Sequence, residues 1–279
     1  MLGTTIDEKM ARPRFHFVQD YRRLVANLMQ KFPLPQAMSL AAGGSYDAMG
    51  EVEKQLLIGL GLQPGHSLVD VGCGSGRLAK ALAPYLAEGR YLGTDIVHEL
   101  LDYARNGCPA AWRFELVEEL RIPAADDTAD FASFFSVLTH LLHEESYCYL
   151  LEARRVVKPG GKIVFSFLEY DDNWPVFENA FTALLNGQIT VHLNTFIHRD
   201  AIAAWASHLG MTILEMHGAA EPFVRLSHPI TYDDGNRADQ VAALGQSVCV
   251  LRNDKVASAA TAGEPRPPFA GYDIKYRIG

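Results

Sequence analysis

The chain's 279 residues, 48% of them hydrophobic, suffice for one large core with appendages. With 25 basic against 33 acidic residues its net charge is −8, which gives no overall attraction for a nucleic acid or another polyanion. Cys73, Cys108, Cys148 and Cys249 lack Cys-x-x-Cys spacing and follow no secretory leader, so they read as reduced thiols of a cytoplasmic protein, and no apolar run nears the roughly 18 residues of a membrane span.

Residues 15 to 32 place Val18, Tyr21, Val25, Leu28, Met29 and Phe32 on one face at helical spacing, and Pro33 and Pro35 close the run. The interleaved Arg22, Arg23 and Lys31, with Arg12 and Arg14 ahead of them, read as a solvated helix face and not as a nucleic-acid patch. This arm, 1–45, is expected to pack on the main domain, where it can lie over a ligand. Gly43-Gly44 marks a turn, and a second helix follows over 47–60. Strands are then expected at 67–72, 91–96, 112–117, 131–137, 161–169, 211–218 and 246–253, and helices at 76–87, 97–106, 144–157 and 199–209. Such alternation implies βαβ units and a parallel sheet covered on both faces, an α/β, Rossmann-like architecture. The main domain spans 46–255. Segments 170–198 and 219–245 interrupt it as lid insertions, in places where long loops are usually functional. The remainder, 256–279, begins rich in Ala, Gly and Pro and reads as a flexible tail.

The most informative run is Ser67 to Arg77, an apolar strand entering a loop with glycine at 72, 74 and 76. Glycines there remove Cβ atoms where a nucleotide-like ligand must approach the backbone. Asp95 ends a second apolar run about 20 residues on, where in a βαβ unit a carboxylate can accept from both hydroxyls of a ribose. An adenosine-containing ligand follows. The dinucleotide pattern G-x-G-x-x-G would need its third glycine at 77, and Arg77 stands there.

On these residues the chain resembles the class I S-adenosylmethionine (SAM) dependent methyltransferases. The resemblance extends through Ile122-Pro123, Asp126-Asp127, Asp130-Phe131, Ser136 to His140, and Arg155 to Lys162, over about 100 residues in the family's order. It implies a seven-stranded, mostly parallel sheet with the last strand, 246–253, antiparallel at one edge. It also implies SAM as methyl donor, S-adenosylhomocysteine (SAH) as product, and a small-molecule acceptor methylated on O or N. Carried onto this sequence, Asp70, Gly72, Cys73, Gly74 and Gly76 would surround the methionine portion. Asp95 would hold the ribose and Ile96 would cover the adenine. Glu118, Glu119 and Leu120 match the segment at the adenine edge, with Glu118 favoured over Glu119 as the acceptor of the exocyclic amine.

Phe135 and Ser136, at the carboxyl end of the fourth strand, would line the meeting place of donor and acceptor. His140 just beyond titrates near working pH and is the candidate general base, although capping or cofactor contact would explain it equally. In the first insertion Tyr170 and Trp174 are candidates for an acceptor wall, with Phe177 and Phe181 on the same helical face as Trp174, or for the lid's own packing. His192 and His198 are candidate substrate contacts. Asp171-Asp172-Asn173 lacks the carboxylate a metal site would need at the end of the fourth strand, so no metal is expected. No Asn/Asp-Pro-Pro-Tyr/Phe run, Pro-Cys pair or paired-glutamate loop is present, which disfavours nucleobase and protein-arginine substrates. A non-methylating or non-catalytic SAM-binding protein is the main alternative. A nicotinamide-dependent oxidoreductase comes third, disfavoured by Arg77. Arm and lid also offer surface for a homodimer.

Overall fold

In a computed structural model, residues 18–186 and 194–256 are described. Seven strands form one sheet: β1 (Ser67–Val71), β2 (Arg90–Asp95), β3 (Arg113–Leu116), β4 (Ala129–Phe134), β5 (Val157–Phe167), β6 (Met211–His217) and β7 (Ser247–Asn253), in spatial order β3-β2-β1-β4-β5-β7-β6. β1 runs parallel to both β2 and β4, β2 to β3 and β4 to β5, while β7 is antiparallel to β5 and β6. The antiparallel strand therefore lies one place in from the margin, and β6 takes the outermost position. Residue type explains this. Ser247 to Leu251 are all buried, an apolar strand that needs neighbours on both sides, whereas Thr212, Leu214 and Glu215 of β6 are exposed and tolerate an edge.

The helices are α1 (Val18–Lys31), α2 (Leu34–Ala41), α3 (Tyr46–Gly59), α4 (Arg77–Leu82), α5 (His98–Arg105), α6 (His143–Val156), α7 (Tyr170–Leu185) and α8 (Arg199–His208). The period-2 alternation of the strands divides the core into two layers. Val248 and Val250 of β7 join Leu68, Val52 and Leu57 on one face, and Cys249 and Leu251 join Phe134, Leu150 and Phe165 on the other. A third cluster, built on Val25, Met38, Val97 and Leu100, seats the N-terminal arm against α5.

Three local features depart from expectation. Pro33 and Pro35 do end α1, but they also open α2, because a first helical turn has no use for the N–H that proline lacks. The segment after β5 is helical: α7 holds Pro175, and Asn173 has non-helical angles (φ −114°, ψ 25°) where the ring disrupts the turn before it. The Pro159-Gly160-Gly161 run stays within β5 as an irregularity, since Ala129 pairs with Val157 but Phe131 already pairs with Lys162. The 219–245 insertion carries two short antiparallel ladders, Val224–Arg225 with Val241–Ala242 and Ile230–Thr231 with Arg237–Ala238. Among the described residues no helix is long and apolar enough to cross a membrane.

Phe134 is fully buried between β5 and α6, in edge contact with Tyr149 at 5.9 Å between ring centroids. Phe134→Ala should cost about 3–5 kcal/mol through lost burial and the cavity left behind, read as a lowered urea midpoint with unchanged slope.

Candidate functional site

Strand order reverses between β1 and β4, and a cleft of about 330 Å³ opens at that point beside the carboxyl ends of β1, β2 and β4. Asp70, Gly72, Cys73 and Gly74 line it from β1 and its loop, Asp95 and Ile96 from β2, and Phe135, Ser136 and His140 from beyond β4. These nine expected residues are brought together. Gly76 lies outside the lining and caps α4, in left-handed conformation (φ +83°), where a Cβ would strike Ala104 Cβ at 2.6 Å.

The two carboxylates differ in use. Asp70 is buried and its oxygens accept from Tyr91 Oη (2.6 Å) and Ser133 Oγ (2.8 Å). Burial pushes its pKa up to about 7, against the pull of those two hydroxyls. Asp95 accepts from the backbone N–H of Gly74 (2.9 Å) and of Val97 (3.0 Å), one on each oxygen. Burial raises its pKa to about 6, with these N–H groups working in the opposite sense. Each Asp95 oxygen retains a lone pair for a further donor. Beside it, a Cβ built on Gly74 would meet nothing within 4 Å. Asp95 and the open ground beside Gly74 fit a ligand with vicinal hydroxyls lying close to the backbone. Cys73 and Gly74 hold the loop by donating their own N–H groups to Thr94 O and Asp95.

The arm, expected to pack over the main domain, supplies part of the lining. Tyr21 and Leu24 of α1 face the cleft, and the Tyr21 ring stacks near His140 (6.5 Å, 28°) while its hydroxyl donates to Ala41 O. Arg22 donates to Ile96 O at 3.0 Å and pairs with Glu118. Glu118 and Glu119 lie outside the lining, as does Leu120, which is buried in the core; Val117 takes their place. Arg77 also borders the cleft. It pairs with the buried Glu53 of α3 and donates to Ala42 O. Burial alone would lower its pKa, but the Glu53 carboxylate outweighs this and keeps the guanidinium charged. Gln246, just before β7, completes the wall next to Ser136.

Tyr170, Trp174 and His198 do not line the cleft. Tyr170 stacks on Phe196 (4.6 Å) and touches Phe177 and His198, and Trp174 packs on Phe177, so α7 builds an aromatic cluster of its own. His192 lies outside the described residues.

Residues 69–165 match the family described as "Methyltransferase domain". The chain is 32% identical over 210 residues, 71% of its length, to an uncharacterised 37.1 kDa protein from a transposon of Streptomyces fradiae. It is 34% identical over 129 residues, 43% of its length, to a ubiquinone/menaquinone biosynthesis C-methyltransferase of Cupriavidus taiwanensis. It spans about half the length of these curated relatives, 56% and 50% respectively. In fold it resembles the magnesium protoporphyrin IX methyltransferase of Synechocystis, solved with bound SAH, at a TM-score of 0.56 and 13% identity over 85% of this chain and 99% of that one.

The raised pKa of Asp70 has a consequence for stability. Between the ordinary aspartate value near 4 and about 7 the folded state holds a proton that the unfolded state has released. This group's stabilising contribution is therefore complete at the acid end and lost as pH rises towards 7. Asp70→Asn should remove that slope, so the difference in melting temperature between variant and parent should shift in the variant's favour from pH 5 to pH 8.

Proposed function

We propose that this chain, which belongs to the class I SAM-dependent methyltransferase family, transfers the methyl group of SAM to an oxygen or nitrogen atom of a small-molecule acceptor in the cleft beside β1, β2 and β4. The observation that carries the reading is the Asp95 carboxylate, fixed by two backbone N–H groups at the cleft wall and next to the open face of Gly74. Bound SAM supplies an electrophilic methyl on a sulfonium centre.

The residues then divide the work. Asp95 accepts the ribose hydroxyls, and Gly74 lets the ligand approach the main chain. Ile96 and Val117 provide apolar wall for the adenine. Asp70 and Asp95 place negative potential around a cationic ligand. Tyr21 and Leu24 cover the cleft from the arm and exclude water. His140 stands on the cleft wall as the group to take a proton from an O–H or N–H acceptor. Beyond this, displacement at a methyl group asks mainly for alignment, worth roughly 7–11 kcal/mol where geometry is ideal. Similarity to a C-methyltransferase of quinone biosynthesis supports small-molecule methyl transfer, and the polar side chains of Ser136, His140 and Gln246 support a heteroatom acceptor.

A thermal-shift comparison tests the reading. SAM and SAH at about 100 times Kd should each add about 2.7 kcal/mol, a rise on the order of 5–10 °C, and NADH should add nothing. A rise with NADH alone would overturn the assignment. Asp95→Ala should weaken SAH binding at least tenfold by calorimetry, since each hydrogen bond to a charged group contributes about 1.5–3 kcal/mol. Donor hydroxyls favour the ionised carboxylate, so SAH affinity should plateau above about pH 6 and fall below it as Asp95 takes up a proton. In Asp95→Asn that dependence should vanish.

A further inference from the structure

We propose that Gln246 is the acceptor-recognition residue of this cleft, its side-chain amide donating to a neutral carbonyl or hydroxyl oxygen on the molecule to be methylated. The inference rests on the methyltransferase reading above and adds to it the chemical class of the acceptor.

Three polar side chains at the end of β4, the end of β5 and the start of β7 form a directed chain of hydrogen bonds. The backbone N–H of Ser136 donates to Ser166 Oγ at 2.7 Å. The Ser166 hydroxyl in turn donates to Gln246 Oε1, an acceptor only, also at 2.7 Å. The Ser136 hydroxyl reaches the same Oε1 at 3.3 Å. The carbonyl end of the Gln246 amide is thus turned toward the two serines, and its NH₂ end is left with two donors. Neither has a partner among the described residues, and Gln246 lines the cleft.

The amide is held rigidly. Gly245 donates its N–H to Ala219 O and accepts from Asn173 Nδ2, which fixes the residue before it. Ser247, on the other side, pairs with Phe167 and donates its hydroxyl to Glu169, itself held by Arg199. Ser136 adopts a left-handed conformation (φ +59°) that non-glycine residues rarely take. Strain of this kind persists where surroundings over-determine it, and it gathers at ligand sites. Here it lets the Ser136 N–H and hydroxyl both serve the relay.

The charges around the cleft select the kind of oxygen. Asp70 and Asp95 border it, whereas the Arg77 guanidinium and the Glu53 carboxylate neutralise one another. An anionic acceptor would meet these carboxylates. A neutral oxygen meets only the amide donor, and the apolar walls offered by Leu40, Phe135 and Leu141 suit the rest of such a molecule.

The test uses ¹⁵N-labelled full-length protein saturated with SAH, with three matched probes: acetophenone, ethylbenzene (the same body without the oxygen) and benzoate (its anionic counterpart). The Gln246 side-chain amide signal is identified by its disappearance in Gln246→Met. Acetophenone should move that signal downfield and bind at least tenfold more tightly than either other probe. Gln246→Glu keeps an oxygen for Ser136 and Ser166 but replaces the donor, and should erase the preference while SAH affinity stays within twofold. Gln246→Met, which has similar length and no donor, should behave alike and serves if the glutamate variant fails to fold. Equal binding of the probes, no binding of acetophenone, or a preference retained in the variants would overturn the role of Gln246 while leaving SAH binding and the methyltransferase reading intact. Absence of SAH binding by the parent protein would instead remove that reading, and this inference with it.

Discussion

One carboxylate joins the three central strands at the level where the cleft begins. Asp70 sits on β1, takes a hydroxyl from Ser133 directly opposite on β4, and takes a second from Tyr91 diagonally across on β2. A buried carboxylate without such partners would carry a large desolvation cost; with them it fixes the relation of the strands just before their loops diverge. Everything at the site is referred to this point. The glycine loop leaves β1 two residues later, Asp95 ends β2, and Ser136 follows β4.

Much of this was legible because the signals were local. Short apolar runs between helical segments located every main strand, and the spacing of glycines with Asp95 marked the ends of β1 and β2 that border the cleft. What stayed hidden depended on contacts between distant segments. Leu24 and Gln246 reach the cleft from α1 and from the residue before β7 with no short-range pattern to mark them, and helical spacing put Tyr21 on the arm's apolar face without showing that it meets the cleft. Position in the sheet was similarly a tertiary matter, since β7 takes an interior place because its side chains bury on both faces. Several residues that carried the family resemblance prove to be structural. Arg155 donates to Glu152, Asp126 and the carbonyls of Ile122 and Ala124, bracing the chain between β3 and β4 far from any ligand wall.

Arg77 shows how one substitution redefines a motif. A glycine there would suit a dinucleotide loop, but the guanidinium instead reaches back to Glu53 and Ala42, tying the start of α4 to α3 and to the turn after α2. The close crossing depends on Gly50, where a Cβ would lie 2.5 Å from Arg77 O. Arm, glycine loop and α3 are thereby one mechanical unit, and Arg22 adds a second tie across the cleft to Ile96 and Glu118. The arm is thus tied to the other walls of the cleft at both ends, by Arg77 through Ala42 O and by Arg22 through Ile96 O and Glu118, so arm position and cleft shape are coupled.

The interior placement of β7 also governs the order in which the molecule can be assembled. β6 is synthesised first, yet its partner in the sheet is made some thirty residues later and must enter between it and β5. Until residue 253 has left the ribosome, β5 has an unpaired edge of apolar composition and β6 has no neighbour at all. Such an edge invites pairing with other chains, and closing it demands contacts distant in sequence, which form slowly. The nascent chain therefore passes through a state in which five strands can pair while β6 waits for the last strand, an interval that exposes it to misassembly.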